Sequence, residues 1–175
     1  MIHEYFKELN NLNEDIYLDE NFQIHTSLNS KLFDIDDNIM FAEVRERLVE
    51  IADLFVQNIK ENDIPIKVYD YWLVGSNAAY NYTPESDIDI HIIVDTNIVT
   101  DVNILRMLYD YIKSSYSQKY NIKVKGHEVE LYLEDIQTTA VTNGIYSIMK
   151  DEWIKVPEKP EEDITIDIEN NPLFK

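Results

Sequence analysis

Apolar positions recur along this chain at two periods, and the switches between them outline its elements. Tyr5, Phe6, Leu9 and Leu12 fall at helical spacing and predict a short amphipathic helix over Ile2 to Leu12. Asn21 to Phe33 reads as loop or a short strand. A stronger stripe follows, in which Phe41, Val44, Leu48, Ile51, Ala52, Phe55 and Ile59 share one helical face, with Asp36, Asp37 and Asn38 ahead of it as cap candidates. Asn62-Asp63 and Pro65 end that helix, and the β-branched and aromatic residues from Ile66 to Val74 predict a strand.

Gly75-Ser76 breaks the strand, Asn77 to Tyr82 reads as a helical turn, and Ile88 to Val94 predicts a second strand. Its later positions are nearly all apolar, the mark of a central strand covered on both faces. Val102 to Tyr116 carries Leu105, Leu108, Tyr109 and Ile112 at helical spacing. Gly126 then opens a third strand, His127 to Leu133, in which Glu128, Glu130 and Tyr132 alternate with Val129, Leu131 and Leu133. A further helix is predicted over Thr142 to Lys150, and from Pro157 onward the chain reads as an acidic extended tail or an added edge strand. Alternating helices and strands predict an α/β (α+β) fold, a small mixed sheet flanked by helices. The expected organisation is an N-terminal extension over 1–30, one domain over 31–156 and a tail over 157–175.

Composition narrows the chemistry. A chain of 175 residues is long enough for a core of its own. It has no cysteine, which excludes disulfides, thiolate metal sites and a cysteine nucleophile. No apolar run reaches the roughly 20 residues that cross a bilayer, and the start, Met1-Ile2-His3-Glu4, has no secretory pattern, so a cytoplasmic protein without a membrane partner is the expectation. The net charge of −19, from 34 acids against 15 bases, repels polyanions and argues against extended nucleic-acid binding.

Most of those acids are a solvated surface, but two are placed differently. Asp87 and Asp89, one residue apart on a strand, point to the same face about 7 Å from each other along the strand. Such a pair repels unless a cation lies between, and hard divalent ions take carboxylate oxygens while keeping positions open for phosphate. Asp34-Ile35-Asp36 and Asp167-Ile168-Glu169 show the same spacing with no chemistry around them, so spacing alone decides nothing. The company of Asp87 and Asp89 decides it. An apolar strand ends in Gly75-Ser76 eleven positions earlier, in a chain with only three glycines. That glycine lets backbone approach a phosphate, the serine adds a hydroxyl donor, and a helical turn after them would offer amides.

An apolar strand, Gly-Ser, a short helix, then Asp-x-Asp on the next strand resembles the nucleotidyltransferase superfamily that includes DNA polymerase beta and the antitoxin-type minimal nucleotidyltransferases. The segments 41–59, Gly75-Ser-Asn-Ala-Ala-Tyr-Asn-Tyr82, Ser86-Asp-Ile-Asp-Ile-His91, Gly126-His-Glu-Val-Glu-Leu-Tyr132, Gly144-Ile-Tyr-Ser147 and Glu152-Trp153 look like a group of predicted nucleotidyltransferases of phages and bacteria. The resemblance covers residues 30 to 157. It implies a polymerase beta-like fold, two Mg²⁺ or Mn²⁺ ions, an NTP as substrate, and a hydroxyl acceptor on a small molecule, a protein or an RNA end. It also implies a third metal-binding carboxylate on a neighbouring strand. Glu130 in Val129-Glu130-Leu131 matches that pattern, and Glu128 on the same face is the rival. His91, on the face of Asp87 and Asp89, is a candidate contact to the nucleotide, and Lys119, Lys123 and Lys125 concentrate positive charge before the third strand. Trp72, Tyr80 and Tyr82 are candidates for stacking a base, although aromatics beside a strand more often belong to a core. Two alternatives stay open: an antitoxin-like modifier of a partner protein, and a non-catalytic acidic binding module.

Overall fold

The computed structural model describes residues 21–61, 66–95, 101–102, 121–137 and 142–167. The helix expected over Ile2 to Leu12, and all but the first residue of that over Val102 to Tyr116, lie outside them. The chain divides into two units, residues 23–164 and residues 1–22 with 165–175. Everything that follows concerns the first, apart from a two-stranded sheet formed by β1 (Asn21–Ile24) and β8 (Ile164–Asp167).

The apolar stripe that begins at Phe41 becomes α1, Ala42–Glu61, which buries Val44, Leu48, Ile51, Ala52, Phe55, Val56 and Ile59. Full burial of a Leu, Ile or Phe side chain is worth roughly 1.5–3 kcal/mol, and a helix in water depends on such a face more than on intrinsic propensity. Asp36, Asp37 and Asn38 do not cap it. The Asp34 carboxylate accepts from the amides of Asp36 and Asp37 at 2.9 and 3.3 Å, Asn38 takes a positive φ of 56°, and Phe33 bridges to Met40. This Asp-x-Asp is a turn device, as expected of a pair with no chemistry around it. Asx-turn geometry outcompeted capping because Asp34 finds its amides two and three residues on.

Opposite α1 lies a six-stranded mixed sheet in the order β4-β5-β3-β2-β6-β7. Its strands are β2 (Val68–Val74), β3 (Ile88–Val94), β4 (Lys123–Val124), β5 (His127–Asp135), β6 (Ile145–Ser147) and β7 (Glu152–Lys155). β3 and β5 run parallel, and the other neighbours are antiparallel. The predicted fold class, a small mixed sheet with a helix against it, is the one found. Period-two alternation sends Tyr71, Leu73, Ile88, Ile90, Ile92, Val129, Leu131 and Tyr146 into one core with α1. The Tyr71 hydroxyl reaches Asp53 on that helix at 2.6 Å.

The helix expected over Thr142 to Lys150 is not formed. Ile145–Ser147 is instead a strand between β2 and β7, turned back through Asp151 at a positive φ of 60°. Tertiary packing overrides local preference here. Tyr146 is fully buried, its ring edge-on to Phe33 and Trp153 at 5.4 and 5.0 Å, and its hydroxyl donates to Asp151 at 2.7 Å while accepting from the Met40 amide at 3.2 Å. Gly144 lies so close to the chain at Ala78 that an added Cβ would stand 1.9 Å from the Ala78 carbonyl oxygen. That contact presses β6 against the turn that follows β2.

Candidate active site

The face of the sheet opposite the core carries the polar alternates. Direct partners across strands share a face, so the register sets the site. Asp89 on β3 stands between Val74 on β2 and Glu130 on β5, and one pleat on His91 stands between Trp72 and Tyr132. Asp87 comes one residue before β3 begins, on the Asp89 side of the sheet by the same alternation. Asp89 and Glu130 thus sit side by side on adjacent parallel strands, about 4.8 Å apart at the backbone. Two unit charges at about 5 Å repel by roughly 3 kcal/mol at the effective dielectric of a protein surface. Burial, then the charges of Glu130 and Glu128, hold the Asp87 carboxyl above its ordinary range, opposed by the Lys123 ammonium.

Gly75 follows β2 directly and adopts φ 75°, ψ −160°. Its missing side chain makes room for Asp89, since an added Cβ would stand 2.3 Å from Asp89 Oδ2. The glycine expected to admit a phosphate admits, first of all, a carboxylate. Ser76 opens a single 3-10 turn, Ser76–Ala78, closed by the Ala78 and Ala79 amides on the carbonyls of Gly75 and Ser76 at 3.1 Å. The helical turn expected as far as Tyr82 ends early, because Asn77 and Ala78 are drawn into the interior.

The two rivals for the third carboxylate have different surroundings. Glu128 is 54% exposed and paired with Lys123 of β4 at 3.0 Å. Glu130 is partly buried and is the larger of the two charges acting on Asp87, and the Tyr132 hydroxyl donates to its Oε2. Burial, then that bond to Glu130, pushes the Tyr132 phenol well above its ordinary range, with Asp89 and Asp87 adding to the effect. His91 Nδ1 pairs with the Glu134 carboxylate, and its ring lies 5.2 Å from that of Tyr132. Lys125 pairs with Glu43 at 3.3 Å, and Lys119 lies outside the described residues. Tyr80 is buried in the core, Tyr82 stacks on His25 with centroids 4.2 Å apart, and Trp72 remains on the site face beside His91.

Among the described residues, no three acidic or histidine side chains already stand as a metal-ligating group. The donors fit a hard divalent ion in kind: all are carboxylate oxygens, and their mutual repulsion at Asp87 is what a cation relieves. Glu130 is meanwhile engaged by Tyr132.

Against this geometry, the sequence pattern of the nucleotidyltransferase domain matches residues 52–156. The chain belongs to the nucleotidyltransferase domain family. The matched stretch runs from within α1 to just past β7 and includes Gly75, Ser76, Asp87, Asp89, His91, Glu128 and Glu130. No curated protein and no solved structure matches the chain. Nucleoside monophosphate transfer is the chemistry this nucleotidyltransferase domain carries, and no helix among its described residues is long and apolar enough to cross a membrane.

Sequence reasoning missed Asn29, Asn77 and His127, which are 3, 0 and 2% exposed and hydrogen-bonded to one another beneath the site. Nothing periodic in the sequence connects the three.

The raised pKa of Asp87 fixes a sign. The folded state binds that proton more tightly than the unfolded one, so the stability contribution is present below 3.8 and lost as pH rises through the raised value. Asp87→Asn should therefore raise Tm at pH 7 by up to about 2–4 °C, small because a partly exposed carboxylate is screened. The gain should shrink toward zero as pH falls to 4. Thermal melts of both proteins from pH 4 to 8 check this.

Proposed function

We propose that this domain transfers the nucleoside monophosphate of an NTP to a hydroxyl group, releasing pyrophosphate, with Asp87, Asp89 and Glu130 holding two divalent ions, Mg²⁺ or Mn²⁺. The observation that carries the reading is the side-by-side register of Asp89 and Glu130 on parallel strands, with Asp87 one pleat before and Gly75 opened to receive the Asp89 carboxylate. When bound, the ions would neutralise charge on the triphosphate and polarise its phosphorus.

The rest falls to the chain. Asp87, just ahead of β3, and Asp89 within it supply a negative pocket where that strand begins. Glu130 would take the proton of the incoming hydroxyl, on a carboxylate whose Oε2 accepts a hydrogen bond from the Tyr132 hydroxyl. Gly75, which lies against the Asp89 carboxylate, and Ser76 after it suit the phosphates. His91, oriented by Glu134, lies one pleat farther along and suits a nucleotide contact. The acceptor is a small molecule, a protein side chain or an RNA end, because a surface of charge −19 repels a long polyanion while a terminus needs little contact area.

The test offers the protein each α-labelled NTP with Mg²⁺ or Mn²⁺ and a host-cell lysate, and then locates the label. Metal-dependent transfer that is lost in the double variant Asp87→Asn, Asp89→Asn supports the reading. Nucleotide binding indifferent both to metal and to that variant marks a non-catalytic acidic module.

A further inference from the structure

Beneath the carboxylates lies a closed polar network that is costly to bury and leaves no group in it unmatched. Asn77 Nδ2 donates to the carbonyls of Ser86 and Asp87 at 3.1 and 2.8 Å. Asn77 Oδ1 accepts from Asn29 Nδ2 at 2.8 Å. Asn29 Nδ2 also meets His127 Nε2 at 3.2 Å, and Asn29 Oδ1 accepts the Lys31 amide at 3.0 Å. His127 Nδ1 lies 2.6 Å from the Ser86 carbonyl. A carbonyl only accepts, so Nδ1 carries the hydrogen, and Nε2 is left to accept from Asn29. Every bond in the network is thereby directed: Asn77 and His127 converge on two carbonyls, and Asn29 joins those two side chains from a third segment.

Those carbonyls belong to the residues that lead into β3. The preceding turn is closed by the Thr83 amide on Ser86 Oγ at 2.8 Å and the Ser86 amide on the Thr83 carbonyl at 3.1 Å. Asn77 itself sits in the turn begun by Gly75-Ser76. One carboxamide therefore ties the turn at Gly75-Ser76 to the carbonyls of Ser86 and Asp87, and His127, the first residue of β5 and three positions before Glu130, holds the Ser86 carbonyl.

We infer that Asn77, His127 and Asn29 are positioning residues that set the Asp87 carboxylate relative to Gly75-Ser76 and to Glu130. The inference rests on the proposed function. It concerns neither substrate contact nor proton transfer by these three groups: Asn77 and His127 act through the backbone of Ser86 and Asp87, and Asn29 through those two side chains.

The test exploits the geometry of the donor. Asparagine at position 127 places its amide nitrogen near Nδ1, whereas glutamine reaches the position of Nε2. His127→Asn should keep kcat within about fivefold of wild type, while His127→Gln and Asn77→Ala lower it about a hundredfold, the cost of a misplacement of about 1 Å. KM for the NTP should stay within about threefold in all of them. Amide exchange at residues 86–88 should quicken in His127→Gln and not in His127→Asn. A role in packing alone predicts the reverse ranking, with the larger glutamine the better substitute, and that ranking overturns the inference. So does a rise in KM matching the fall in kcat. Should the variants not fold, ¹⁵N spectra of the wild-type imidazole decide: a neutral ring protonated at Nδ1 supports the role, and any other form overturns it. Wild-type protein with no transfer activity removes the functional reading and this role together, whereas an active wild type with equivalent Asn and Gln variants removes the positioning role alone.

Discussion

Asp89→Asn is expected to lower nucleotidyl transfer by about a thousandfold or more, with Mg²⁺-supported NTP binding weakened and the fold retained. Asp89 holds the central place: its strand neighbours are Val74 and Glu130, and its carboxylate lies against the Cα of Gly75. Asparagine preserves size and hydrogen-bonding shape but removes the charge, so the loss reports charge rather than packing. Single-turnover rates with labelled NTP, beside a melt to confirm folding, measure it. Activity within tenfold of wild type would remove Asp89 from the machinery. The same assay ranks the third carboxylate. Glu130→Gln should approach the loss seen for Asp89→Asn, whereas Glu128→Gln should cost no more than about threefold, because Glu128 is half exposed and its partner Lys123 is a surface cation. A larger loss from Glu128→Gln reverses the assignment.

Much of this arrangement was legible because it is written in short-range periodicity. The second strand was expected over Ile88 to Val94 and has those bounds, since isoleucines at 88, 90 and 92 alternate with Asp89 and His91. α1 was expected over Phe41 to Ile59 and runs over Ala42–Glu61, because one apolar stripe faces one core. Apart from the local Asp34 turn that displaced the expected caps, what failed depends on partners distant in sequence. The segment 142–150 shows no strand periodicity, and only Gly144 under Ala78 and Tyr146 between Phe33 and Trp153 make it one. β7 went unforeseen for the same reason, as the outer partner of β6. Lys123 and Lys125 read more readily as a solvated face than as phosphate ligands, and the fold gives each an acidic partner, Glu128 on β5 and Glu43 on α1. Asn29, Asn77 and His127 meet across separations of 48 and 98 residues, which no window on the sequence spans. The candidate carboxylates stand out in the chain because strand alternation alone aligns them. What lies beneath them does not, because burial of polar groups is decided by the whole fold.

Gly75→Ala should damage stability and transfer together, and the two effects have separable causes. At φ 75° and ψ −160° the backbone occupies a region populated almost solely by glycine, and holding alanine there costs about 1–3 kcal/mol. That is roughly a 2–12 °C fall in Tm for a chain of this size. The second cause is local. The new Cβ would stand 2.3 Å from Asp89 Oδ2 and 3.3 Å from its Cγ, so either the carboxylate swings away or the turn shifts. Either movement separates Asp89 from the Gly75-Ser76 turn, and a displacement of about 1 Å at a reacting centre is worth about a hundredfold in rate. Transfer should thus fall about a hundredfold at temperatures where the variant remains folded, which excludes unfolding as the reason. Gly126→Ala is the control. Gly126 also has a positive φ, 95°, but its added Cβ would meet nothing nearer than the Lys31 ammonium at 3.9 Å. That variant should lose a comparable amount of stability and keep most of its transfer rate. If both variants lose activity equally, the closeness of Gly75 to Asp89 has no catalytic consequence. If only Gly75→Ala does, the glycine is required for the carboxylate it admits as well as for the bend it makes.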